Sequence, residues 1–178
     1  MRSFILILLG LLTLNSASYA QTKITPAQVK QYAATCLKNA EADTVTSPQT
    51  KKIFCDCTGQ FMARNLTMQD LKAMGGTGQP QRNAMNKMVT GVYAPCMEFP
   101  VRDLISQQCM KDVKQPQICN CLSKNMAAYT AQSAKTTLAS VLAKYPNAFD
   151  PMGALMENPE FQAKQKEISM QCLTGKLK

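Results

Sequence analysis

Eight cysteines carry most of the chemical possibility in this chain, and they fall into two sets of the same form. Cys36, Cys55, Cys57 and Cys96 read C…CxC…C, and Cys109, Cys119, Cys121 and Cys172 read the same way. A thiolate beside a second thiol can resolve a mixed disulfide, so each CxC pair is a candidate for thiol redox exchange. Soft sulfur also suits Cu(I), and Met62, Met68, Met74, Met85, Met88 and Met97 add thioethers in the same stretch. Most of those methionines stand at helical spacing, where an adaptable side chain fills core gaps. Four thiolates per set formally allow zinc, but the spacings are not those of a zinc ribbon. The plainest use of the cysteines is structural, with both members of each CxC bridged to its flanking partners.

Composition removes other chemistry. The chain has no histidine, which excludes a Ser-His-Asp triad, a Cys-His dyad, His-ligated zinc and an imidazole pH switch. Acids number 11 against 20 Lys and Arg, and no motif brings two carboxylates together, so Asp56, Asp70, Asp103 and Asp150 receive no catalytic role. Gly75-Gly76-Thr77-Gly78 lacks a preceding strand and a following Lys-Ser/Thr, so it reads as an inter-helix loop and not as a phosphate cradle. The basic residues are dispersed, only Lys51 and Lys52 are adjacent, and Trp is absent. No nucleic-acid partner is expected, and the surplus charge predicts only a weak contact with an anionic membrane or envelope polymer. No catalytic, cofactor-binding or metal-ligating residue is assigned, and no cofactor is expected.

The first twenty residues read as an export signal. Arg2 precedes an apolar run from Phe4 to Leu14, and Ser18 and Ala20 fit the small positions before a cleavage at Gln21. The run is too short for a spanning helix, which needs roughly 20 apolar residues. No cysteine stands at the cleavage point, so no lipid anchor is expected, and no later segment is apolar enough to span a bilayer. An even cysteine count in an exported chain implies disulfides, because the destination is oxidising.

The two cysteine sets have related surroundings. Cys36-Leu37-Lys38-Asn39 resembles Cys109-Met110-Lys111-Asp112, and the offset from Cys55 to Cys119 equals that from Met62-Ala63 to Met126-Ala127. The pattern predicts an internal duplication, with module 1 over residues 21–99 and module 2 over 100–178.

Helices must position these cysteines. Thr25-Pro26-Ala27-Gln28 is a capping box with Pro at the first helical position, and Val29, Tyr32, Ala33, Cys36, Leu37 and Ala40 form one apolar stripe behind it. Ser47-Pro48 opens a second helix and Thr67…Asp70 a short third one through Met74. Residues 75–80 break the chain, and a fourth helix runs through Met85 and Met88 towards Cys96, with Pro95 able to end or kink it. The second half repeats the plan with helices over 101–113, 116–129 and 131–144, a turn over 152–156, and a last helix opened by Asn158-Pro159 and closed by Gly175. No segment alternates as a strand does.

The expected architecture is therefore all-α, two homologous disulfide-stapled modules of about four helices each, packed together. On a helix, residues i and i+2 differ by about 200° around the axis. The CxC cysteines thus face opposite ways, one back to the first helix of its module and one across to the last. Of three pairings per module the adjacent CxC bridge is geometrically poor, and two stay open. Each bridge is worth roughly 3–4 kcal/mol in the chain-entropy estimate. The functional expectation is an exported, non-enzymatic binding or assembly protein with a protein partner, periplasmic or secreted. The alternative is a thiol-redox or Cu(I)-handling protein that uses its CxC pairs.

Overall fold

Helix starts are written into this chain as prolines behind polar caps, and the computed structural model, which describes residues 22–147 and 150–177, obeys them. α1 (Pro26–Ala40) opens on Thr25, whose hydroxyl accepts from the Gln28 N–H while the Gln28 side chain accepts from the Thr25 N–H. α2 (Pro48–Asn65) is capped by Ser47, and α3 (Met68–Met74) by the reciprocal pair Thr67 and Asp70. α4 (Gly78–Met88) starts earlier than the expected break at residues 75–80 allows. Pro80 is the reason it can do so, since it stands in the first turn, where no intrahelical N–H bond is needed. α5 (Glu98–Asp112) and α6 (Pro116–Lys144) follow, then α7 (Pro151–Met156), capped by Asp150, and α8 (Pro159–Leu173), capped by Asn158. Among the described residues the protein is all-α, with eight helices and no strand. Its single β-type contact is an isolated bridge between Lys23 and Thr67.

Two expected boundaries are corrected. The helices expected over 116–129 and 131–144 are one 29-residue helix, α6. Nothing at Tyr129-Thr130-Ala131 breaks it, and buried Thr130 turns its hydroxyl onto the Met126 carbonyl at 2.8 Å. The helix expected from Val101 begins instead at Glu98, so the boundary drawn between residues 99 and 100 lies in its first turn.

Pro95 neither simply ends nor simply kinks the fourth helix. A π turn, Val89–Tyr93, and a 3-10 turn, Ala94–Cys96, carry the chain from α4 into α5. Pro95 has no N–H to offer the Gly91 carbonyl four residues back. Asn65 at the end of α2 supplies the missing donor, Nδ2 to the Gly91 oxygen at 2.6 Å. One covalent defect is thereby converted into a tie between α2 and the junction.

The core divides unevenly. A small cluster of Ile24, Met62, Leu66, Met88 and Val92 lies under α1–α4. A larger one runs along α5, α6 and α8, around Ile105, Met126, Leu138, Leu155 and Phe161, and takes in Val89, Ala94 and Met97 from the junction. α1 contributes no buried residue to either. It lies close against α2 at Gly59, where an added Cβ would stand 3.2 Å from Val29 Cγ1.

Candidate functional site

All eight cysteines are paired, and the pairing has the same order in both sets: Cys36–Cys55 and Cys57–Cys96, then Cys109–Cys119 and Cys121–Cys172. In each set the first CxC cysteine ties its helix back to the preceding one and the second reaches a later element. The 200° separation is used as the geometry of a helix demands. Cys55 and Cys96 are fully buried, while Cys36 is half-buried on α1. No free cysteine remains among the described residues. Both CxC motifs are thus absorbed by structural bridges in this state, with no thiolate offered for exchange or for Cu(I).

The thioethers are employed too. Met62 and Met88 sit in the smaller core and Met97 in the larger, with Met68 and Met74 packed against the smaller. Among the described residues no group of three or more His, Cys, Asp or Glu is placed to hold a metal ion. The four weighed carboxylates have structural duties. Asp56 pairs with Lys52 at 2.6 Å on the surface, and Asp70 completes the α3 cap and meets Lys87 at 2.7 Å. Asp103 accepts the Ser47 N–H at 2.8 Å, and Asp150 accepts the Met152 and Gly153 N–H groups. A wide cleft of about 810 Å³ beside the end of α6 is lined by Asp150 and Asn158, both already spent on helix caps.

What the fold does assemble is an apolar groove where the first half meets the second. Its two adjoining hollows, of about 380 and 400 Å³, share Ala40, Phe54 and Pro151. The floor of one end is Tyr32, the Cys36 face of α1 and Tyr93; the other end is Met97, Pro100, Leu104 and Met152. Phe54 and Tyr93 stack with ring centroids 6.1 Å apart and planes 14° from parallel. Burial raises the Tyr93 hydroxyl well above its ordinary value, and the neighbouring Tyr32 adds to the shift. It stays neutral and acts as part of an apolar wall.

One rim is the loop 41–47, and it is held open by α5. Asp103 takes the Ser47 N–H, and Gln107 donates to the Val45 carbonyl across 62 positions of sequence. Within the loop Asp43 accepts from the Thr46 hydroxyl and from the Val45 and Thr46 N–H groups. The Thr46 hydroxyl foremost holds its carboxyl below the usual range against the opposing effect of burial, and the two N–H groups and Lys51 act in the same direction. The rim is pre-organised, with Asp43 internally satisfied, and the hollow it borders is predominantly apolar. Beside its apolar walls the hollow is also lined by Asp43, Thr46, Thr50 and Lys51, and the Lys51 ammonium donates to the Asp43 carbonyl.

Sequence reasoning placed Tyr32 on an apolar face and Leu104 on a helix, but it assigned neither to a site. The available signal was the α1 stripe, six apolar positions on a helix that ends up burying none of them.

No family model, curated protein or solved structure matches this chain.

Proposed function

We propose that the protein is an exported, disulfide-stabilised helical binding or assembly protein of the cell envelope or extracellular space, whose apolar groove receives an apolar segment of a partner protein. The observation that carries this reading is the groove itself. It is a pre-organised and predominantly apolar hollow walled by Phe54, Tyr93, Met97 and Leu104 at the meeting of two stapled halves. Four disulfides suggest an oxidising compartment. No helix among the described residues is long and apolar enough to cross a membrane. The export signal read in residues 1–20 lies outside the described residues. Common descent of the two halves is part of the proposal, supported by the shared pairing order and by the parallel succession of a hairpin, a short helix and a closing helix. The role of envelope-complex subunit or secreted factor follows from location and rigidity.

Intact mass with and without alkylation, on unreduced protein from its own compartment, tests the staples: eight hydrogens missing and no adduct are expected. A photo-crosslinking residue at Leu104 then tests the groove. One defined adduct is expected there and none from the same residue at Lys135 on the outer face of α6. Equal labelling from both positions, or none from either, removes the groove as the partner face. An alkylated CxC pair would restore the redox and Cu(I) alternative.

A further inference from the structure

Six large apolar side chains are notably exposed among the described residues, and four of them, Met110, Val113, Met170 and Leu173, lie at the last turns of α5 and α8. Two disulfides bring those turns to the same end of α6, on its two opposite sides. Cys109–Cys119 sets the end of α5 beside the start of α6, with Cα atoms 5.3 Å apart, and Cys121–Cys172 sets the end of α8 beside the same turn of α6, at 5.9 Å. Single exposed apolar residues need no explanation, but four at one end of a molecule do.

Charge at that end is predominantly positive. Lys111, Lys114 and Lys176 are exposed, and none of them joins an ion pair among the described residues. Asp112 on α5 accepts from Gln108 Nε2 at 2.7 Å and keeps its negative charge, so the lysines outnumber it three to one, while on α8 Glu167 is paired with Lys164 at 2.8 Å. Lys114 also stands at φ 59, the sole non-glycine residue with positive φ among those described. Glycine is the usual occupant of such a helix-terminating position, so a lysine there keeps a cation at a conformational cost. Cations near helix C-termini favour the macrodipole, but that effect gives no reason for the four apolar side chains beside them.

We infer that this end of the molecule docks on an anionic lipid surface, the apolar side chains entering the headgroup boundary and the three lysines meeting lipid phosphate. Apolar burial combined with cationic attraction is the physics of interfacial binding, and the weak anionic contact expected from overall charge is thereby given a place. The inference is independent of the groove, so failure of one leaves the other standing.

The test is co-sedimentation of disulfide-intact protein with vesicles of phosphatidylcholine alone and of phosphatidylcholine mixed with phosphatidylglycerol, at low and high salt. Binding to the mixed vesicles should be at least about tenfold stronger, given roughly a kcal/mol for each surface lysine, and should fall with salt. The combined variant Lys111→Glu, Lys114→Glu, Lys176→Glu should lose that preference, whereas Lys30→Glu, Lys72→Glu, Lys135→Glu, with the same change in net charge elsewhere, should keep most of it. Met170→Ser with Leu173→Ser, both exposed and so compatible with the fold, should weaken binding several-fold. Equal loss in the two charge variants, equal binding to both vesicle types, or no effect of the serine pair overturns the inference. Self-association that the serine pair abolishes, with vesicles left unbound, would assign this end to a second copy of the chain instead.

Discussion

The two halves carry the same order of staples on very different amounts of packing. In the second half α6 alone buries eleven residues, and the cluster around Phe161 and Ile105 would form a respectable core without any bridge. In the first half the separate cluster has five residues, Val89, Ala94 and Met97 being drawn into the larger core, and α1 buries none, so Cys36–Cys55 and the close approach at Gly59 hold that helix down. Disulfides of equal number therefore have unequal importance. Where the core is large they reinforce it; where the core is thin they replace it.

The largest expected effect contrasts the cores. Phe161→Ala removes a fully buried ring that packs beside Tyr129, with centroids 6.0 Å apart, and should cost about 3–5 kcal/mol. Met62→Ala, in the smaller cluster with fewer buried neighbours, should cost about 2–3 kcal/mol, at the low end for a large-to-small change. Urea unfolding with disulfides intact measures both. Equal losses would contradict the division into a thick core and a thin one.

Removing one bridge from each half comes next. Cys36→Ser with Cys55→Ala opens a closure of 19 positions and should cost about 3 kcal/mol, and Cys109→Ala with Cys119→Ala opens one of 10 and should cost slightly less. The distinguishing readout is local. Amide-exchange protection of α1 should collapse in the first variant, while α5 stays protected in the second because Val101 and Ile105 still bury its inner face. Retained protection in α1 would show that its contacts with α2 suffice unaided.

Acid should separate the halves by a smaller margin. Both carboxyls held below their ordinary range, Asp43 and Asp70, belong to the first half. For Asp70 burial is the largest single influence and pushes upward, but the Lys87 ammonium and the Thr67 N–H and hydroxyl outweigh it. A folded value below the unfolded one means a contribution fully present above the unfolded carboxylate pKa of about 4 and lost as pH falls through the folded value. Exchange protection in α3 and α4 should therefore fade below about pH 4 before that of α6 does. Asp70→Asn should remove most of the difference, and simultaneous fading in the wild type would place the acid-sensitive groups elsewhere.

What the sequence made legible was whatever is local. Caps at Thr25, Ser47, Thr67 and Asn158 predicted helix starts because the cap and the N–H groups it satisfies lie within three residues of each other. The opposed directions of Cys55 and Cys57 followed from helical geometry, but the choice between two pairings did not, since it depends on which helices become neighbours. The split of α6 near Thr130 had no breaker behind it: neither Gly nor Pro stands between Pro116 and Lys144, and the backbone runs through. The groove was illegible for a plainer reason: its walls come from α1, α2, the π turn, α5 and α7, and its rim is fixed by contacts such as Ser47–Asp103, 56 positions apart. No periodicity in one segment reports such a meeting.

The smallest effect sharpens the comparison at the turn between α5 and α6. Lys114 holds φ 59 there, its N–H reaching the Cys109 carbonyl at 3.3 Å, next to the tightest of the four closures. A side chain in the left-handed region costs about 1 kcal/mol that glycine avoids, while glycine gives the unfolded chain extra freedom that offsets part of the gain. Lys114→Gly should thus raise stability by about 0.5 kcal/mol, a small upward shift of the urea midpoint with an unchanged slope. It should at the same time weaken binding to anionic vesicles, because it removes a cation from the end that carries Met110 and Leu173. Strain relieved at the expense of attraction is the pattern of a residue kept for contact and not for folding. A variant that loses stability instead would mean that the lysine stem packs favourably on the turn, and the strained backbone would then carry no functional weight.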